Sequence, residues 1–208
     1  MTHPKHALTD HDVLEVIRQR WSPRAFDASR EIPSDDLRSL FEAARWAPSS
    51  FNEQPWRFVM ADRRRTPEAF ATLLGALDGF NQAWARHAPV LLLVTANRGL
   101  QRTGQPNRHA WYDTGQAVGL LTLQATSFGL GLRQMEGFDR AVAIAACSVP
   151  AEFEPVVMIA VGYPGDPERL ESERHRVSET QPRRRQPIET FVFEGTWGNA
   201  IERQPPRT

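Results

Sequence analysis

A single domain built from both helices and strands is what this sequence predicts, and three observations carry the prediction. Two continuous apolar runs, "PVLLLVTA" and "VVMIAVGY", have strand length and suit strands buried on both faces. Around them lie stretches with apolar residues at helical spacing, ended by proline or glycine. No internal repeat and no linker divides the 208 residues, which suffice for one large domain with a true hydrophobic core.

In chain order, "TDHDVLEVIRQR" reads as a helix with Thr9 or Asp10 near its N-cap and a stripe of Val13, Val16 and Ile17. A second helix opens at Pro33 and Ser34. Asp35 and Asp36 suit its positive end, Leu37, Leu40, Phe41 and Ala44 fall at helical spacing, and Pro48 stops it. After the turn at "NEQP", "WRFVMA" reads as a strand. "PEAFATLLGAL" predicts a third helix, "APVLLLVTA" a buried strand, and residues 97–108 a loop without periodicity. From Ala110 to Phe128 the pattern is helical and apolar nearly all round, which predicts a central buried helix that Gly129 ends. "LRQM" is a short strand, residues 139–147 a helix, and "EPVVMIAVGYP" the second buried strand. Beyond Pro164 charges and prolines accumulate, and residues 188–208 offer only an isolated "FVF" and Trp197. Such a tail has no core of its own; it is either disordered or packs its aromatics on another subunit.

Lys plus Arg equals Asp plus Glu at 25 each, so the net charge is zero. This argues against a nucleic-acid or membrane-surface partner, which would need a basic surplus. All but one of the basic residues are arginines, Lys5 being the only lysine. The apolar runs fall far short of the roughly 20 residues that cross a bilayer, and no signal-peptide pattern is expected. Cys147 is alone, which fits a reducing cytoplasm, and its apolar surroundings read as core. His3, His6 and His11 lack a neighbouring carboxylate or cysteine cluster, so no metal site is expected.

Four stretches concentrate polar groups at element ends. In "RQRWSPRAFD", Arg20, Ser22 and Arg24 alternate, and in extended backbone they would share one side. Two planar forks and a hydroxyl aimed at one spot suit a phosphate, although for two arginines alone a solvated basic turn is the favoured reading. "PSSFNEQPWRF" offers hydroxyls, amides and backbone N–H groups between a helix and a strand, or ordinary turn chemistry. "RRR" at 183–185 is a second basic cluster, or a disordered patch. In "MEGFD", Gly137 permits close backbone approach and Asp139 suits an N-cap.

Taken together and in this order, these stretches resemble the FMN-dependent nitroreductase family, as do "FN" at 80–81, "YDTGQA" and "GLGLRQMEGFD". The resemblance runs from about Asp12 to Trp197, and Asn-x-Gln-Pro-Trp after Pro-Ser-Ser is its most specific part. It implies an α+β fold with a mostly antiparallel central sheet flanked by helices, in an intertwined homodimer binding FMN at the interface. The chain would form one FMN-binding domain over residues 9–197, with 165–208 as a C-terminal extension wrapping the partner subunit. The resemblance assigns Arg20, Ser22 and Arg24, with Arg183 and Arg185, to the FMN phosphate and ribityl chain. It assigns Pro48, Ser49, Ser50 and Asn52 to flavin contacts from the other subunit, Asn81 to the ring edge, and Met135, Glu136 and Gly137 to the ring itself.

One departure stands out. Many relatives carry a lysine one turn after the matching asparagine, where this chain has Trp84. With no Gly-x-Gly-x-x-Gly after a strand, a nicotinamide donor would visit the exposed flavin rather than a dedicated domain. The resemblance therefore implies ping-pong hydride transfer from NAD(P)H through flavin N5 to nitroaromatics, quinones or similar acceptors. No side chain serves as nucleophile, and Glu136 and Gly137 tune the ring. Phe51, Trp84, Arg108, His109, Trp111 and Tyr112 are the candidates for covering the substrate. The alternatives are a non-catalytic flavin-binding or sensing protein, or other flavin chemistry such as flavin fragmentation or reductive dehalogenation.

Overall fold

The structure is a computed structural model and describes residues 5–203. His3 and residues 204–208 of the tail lie outside the described residues. Four strands form one sheet: β1 (Trp56–Asp62), β2 (Val90–Asn97), β3 (Gly131–Met135) and β4 (Phe153–Gly162). Their spatial order is β1-β2-β4-β3 and every pairing is antiparallel. Leu93 pairs with Met158, and a bulge between Val94 and Thr95 falls beside Pro155, which has no N–H for the ladder.

Helices cover both faces of this sheet, which is why its central strands are apolar throughout although the sheet is antiparallel. On one face α3 (Pro67–Ala76), α4 (Gly79–Ala85) and α6 (Arg140–Cys147) join Phe70, Leu73, Trp84 and Phe138 to Leu91, Leu93 and Met158. On the other, α2 (Ser34–Arg45) and α5 (Ala110–Ser127) bring Leu37, Leu40, Val118 and Leu121 against Val90, Leu92, Val94 and Ile159. The two alternating sets of β2 are at most 1% exposed. Each such side chain contributes about 2 kcal/mol by burial.

The helix expected over "TDHDVLEVIRQR" is reduced to α1 (Glu15–Gln19), so Thr9 and Asp10 do not cap it. Its stripe finds no full core within one chain: Val16 is half-buried, while Val13 and Ile17 stay exposed, as does Leu14 beside them. The expectation for α5 is corrected in the same way. Ala117, Val118, Leu121 and Ala125 are buried, but Trp111, Tyr112, Gly115 and Gly119 lie on a side left open. Two helices were not expected. α4 is short and is started by Asp78, whose carboxylate accepts the Asn81 N–H. α7 (Glu173–Thr180) carries no apolar stripe and lies in the tail. Asp139 caps α6 by accepting from the Val142 N–H at 3.0 Å, as its position predicts. No helix among the described residues is long and apolar enough to cross a membrane.

Candidate functional site

A cavity of about 650 Å³ opens where α1 ends, against the uncovered side of α5 and the edge strand β3. Arg20, Ser22, Gln116, Thr122, Gln134 and Arg185 supply its polar groups, and Ile17, Pro48, Leu120, Leu123 and Leu132 its apolar wall. Arg20 Nη1 donates to Ser22 Oγ at 3.4 Å. Burial, and then the charge of Arg185, pull the Arg20 guanidinium below its ordinary range. No carboxylate is among the described residues lining the cavity. Two guanidinium groups, with the hydroxyls of Ser22 and Thr122 and the amides of Gln116 and Gln134 over an apolar wall, make a receptor for an anion attached to a flat or apolar body.

Arg24 does not complete this set. The segment after Arg20 is not a regular strand, and Pro23 lies so close to Gly131 that a β-carbon there would sit 2.3 Å from Pro23 Cγ. The expectation that Arg20, Ser22 and Arg24 share one side therefore fails. Arg24 instead reaches α7, where Nη1 donates to Ser178 Oγ at 2.9 Å, and its guanidinium lies 5.7 Å from the Phe80 ring centre. Glu179 of α7, only 2% exposed, holds the same segment by its backbone. Its carboxylate accepts the Arg24 N–H at 3.0 and 3.1 Å and the Ala25 N–H at 3.2 Å.

Other cations brace this segment from behind. Arg183 donates to the carbonyls of Arg18 and Arg20, so it supports the cavity wall while Arg185 faces the cavity. Arg133 of β3 donates to the Ser22 carbonyl at 2.7 Å and lies over the Trp84 ring. Burial, and then Arg24, push its guanidinium down to about 10. Lys5 donates to the Ser178 carbonyl and is only 8% exposed; burial lowers its ammonium pKa against the pull of Glu179. Burial and the charge of Arg24 likewise keep His175 of α7 below the usual histidine range, and its ring packs edge-on against Phe80 at 4.5 Å.

The loop from Pro48 to Gln54 reaches the cavity through Pro48. Its Ser50 N–H donates to Asp113 Oδ2 at 2.9 Å, and Asp113, buried in the first turn of α5, anchors it to that helix. Ser49 Oγ accepts the Gln54 N–H at 3.1 Å, and the Asn52 N–H donates to the Ser49 carbonyl at 3.1 Å. Phe51, Asn52 and Gln54 all have positive φ, at 52°, 57° and 47°.

Three further expectations change. Trp84 is fully buried and packs on Phe26 with ring centres 6.2 Å apart, so it cannot cover a substrate. The side chain of Met135 points into the same core and leaves only its backbone available. The close approach that Gly137 permits is to Asp78, since a β-carbon there would be 2.0 Å from Asp78 Oδ2. Asn81 Nδ2 contacts the Gly137 carbonyl at 3.4 Å, and the exposed Glu136 carboxylate is paired with Arg140 at 3.4 Å. Arg108, His109, Trp111 and Tyr112 lie at the exposed start of α5, where Trp111 Nε1 donates to Glu154 at 3.1 Å. Gln134, Asp113, Arg133 and Glu179 were not anticipated. An aspartate in the first turn of a buried helix was the one available signal for Asp113; nothing local marks the others.

The model of the Nitroreductase family matches residues 17–77 and 65–163. The chain belongs to that family. It is 30% identical to an NADH dehydrogenase of Thermus thermophilus, over 78% of this chain and 86% of the relative. An oxidoreductase containing FMN has the same fold, with a TM-score of 0.87 and 30% identity over 96% of this chain and 100% of that one. A structure from Desulfovibrio desulfuricans in complex with FMN gives a TM-score of 0.68 at 25% identity, over 91% of this chain and 99% of that one. The α+β fold and its antiparallel sheet are those the family resemblance implies. The matched segments stop at Tyr163, so the α7 helix that braces the site lies beyond them.

Proposed function

We propose that the protein is an NAD(P)H-dependent FMN oxidoreductase that reduces nitroaromatics, quinones or similar conjugated acceptors by a ping-pong cycle. The observation that carries this reading is the cavity that both Arg20 and Arg185 line, with no carboxylate among its described lining residues. Such a donor set fits a phosphate ester, and the adjoining wall of Ile17, Leu120, Leu123 and Leu132 fits the body it carries.

Bound FMN supplies the redox chemistry, and for a nitro group the balance is NAD(P)H + H⁺ + ArNO₂ → NAD(P)⁺ + ArNO + H₂O. The chain's own part is binding and positioning. Arg20 and Arg185 hold the phosphate, Ser22 and Gln134 meet the chain that follows, and Arg183 and Glu179 fix the backbone that presents them. Arg24, Asn81 and the backbone of Met135, Glu136 and Gly137 would lie farther along the same edge. The open side of α5 belongs against a second copy, in a homodimer whose loops bring Pro48, Ser49, Ser50 and Asn52 to the partner's flavin. Residues 9–197 are then one FMN-binding domain, and 165–208 reach around the partner. Trp197, 92% exposed, is the kind of residue such an extension would bury. Cys147 as the single cysteine suits a reducing cytoplasm.

An absorbance spectrum of the purified protein with anaerobic addition of NADPH or NADH tests the reading. Flavin bands that bleach, and return when a nitroaromatic or quinone is added, are expected. Flavin bands untouched by both donors would leave a binding protein, and no uptake of added FMN would end the reading altogether. Arg20→Ala should weaken FMN binding roughly tenfold, the loss of one charge-assisted contact.

A further inference from the structure

Phe51 has its backbone in the left-handed region (φ 52°, ψ 21°), which a bulky side chain rarely adopts. It nevertheless stands 73% exposed. Such strain persists only where the surroundings enforce it, and here they do. The neighbouring Ser50 N–H is tied to Asp113, and Glu53 accepts the Gln101 N–H at 2.7 Å from the loop between β2 and α5. That loop is closed on itself by the Gly99–Pro106 bridge, and it lays the Arg102 guanidinium 5.0 Å from the centre of the Phe51 ring. Arg102 makes no ion pair among the described residues. The acidic group of the facing loop is Glu53, whose Oε2 is engaged by the Gln101 amide.

We propose that Phe51 and Arg102 form an acceptor-selecting pair, giving the enzyme a preference for aromatic electron acceptors that carry a negative charge. The inference rests on the oxidoreductase reading above, in which the 48–54 loop reaches the flavin of the partner subunit. The exposed ring offers a stacking surface to an aromatic acceptor. The guanidinium, lying 5.0 Å from the centre of that ring and not ion-paired with a carboxylate among the described residues, offers a carboxylate or sulfonate on the acceptor a charge-assisted partner.

The test uses the FMN-loaded protein and two acceptors with the same ring, 4-nitrobenzoate and the uncharged 4-nitrobenzyl alcohol. The quantity read is the ratio of their kcat/KM values in each variant, divided by the same ratio in the unaltered protein, so intrinsic reactivity and general losses cancel. Arg102→Gln should lower that ratio roughly fivefold, and Arg102→Lys, which keeps the charge, should recover part of it. A ratio within about twofold of the unaltered protein for Arg102→Gln overturns the proposal. So does an equal fall in both variants, or a loss that appears in the KM for NADPH instead. Failure of the flavin to bind or to be reduced by a nicotinamide would remove the underlying reading, and the pair with it. Normal turnover with unchanged selectivity would remove the pair alone.

Discussion

The segment from Arg20 to Ala25 and the loop from Pro48 to Gln54 meet at the same cavity, which Arg20, Ser22 and Pro48 line, yet they are held in opposite ways. The first makes almost no structure of its own. Its amides are taken by Glu179, its carbonyls by Arg133 and Arg183, and all three come from more than 100 residues along the chain. The second is partly self-made, closed by Ser49 and the turn bonds of Asn52 and Glu53, with outside anchors at Asp113 and, through Glu53, at Gln101. A docked segment depends on its brace, whereas a self-closed loop can carry strain where a ligand needs it. The half of the cavity that carries Arg20 is thus tied to α7, and the loop that carries Phe51 to α5 and the loop before it.

The comparison breaks most visibly at Glu179. Its replacement by alanine leaves the buried Ala25 amide, the half-buried Arg24 amide and the Lys5–Arg24–Arg133 group without the carboxylate that faces them. Urea denaturation should register a loss of about 3 kcal/mol, and less for Glu179→Gln, which keeps an acceptor. An effect confined to FMN affinity, with stability unchanged, would mean that the segment holds its own shape. Asp113→Ala should act on the loop more mildly, by about 1 kcal/mol, because one half-buried N–H loses its acceptor. Its mark should be reduced turnover with FMN still bound; early loss of FMN would show that the two halves are not separately held. Smallest in stability is Phe51→Gly. Removing the ring relaxes a left-handed residue, so the melting midpoint should stay level or rise by the equivalent of up to about 1 kcal/mol, while turnover falls. A clear destabilisation would show that the ring is packed rather than poised.

The parts of this architecture that the sequence made legible are those driven by apolar pattern. β2 and β4 follow from their uninterrupted hydrophobic runs, α2 from its stripe and Pro33, and α6 from Asp139. What escaped notice is held by charge or by the other end of the chain. α7 has no apolar face to detect; it is fixed by Glu179, Ser178 and His175. α1 was read too long because Val13 and Ile17 imply a core that one chain does not provide. The direction of Arg24 was misjudged because a period-two argument needs regular backbone, and Pro23 packed on Gly131 interrupts it. Trp84 looked like a wall of the site from its place in sequence, but the helix that carries it turns it into the core.

Lys5 is the only amine-bearing side chain in the protein, and it is enclosed beneath the carbonyl of Ser178. Among the described residues it is held by the Ser178 carbonyl of α7 and lies over the Trp21 ring, so the rate at which an acylating reagent modifies it becomes a built-in clock for the opening of that corner. Followed by mass spectrometry with and without FMN, the clock would time how often the anion site loosens, with no label or engineered probe required.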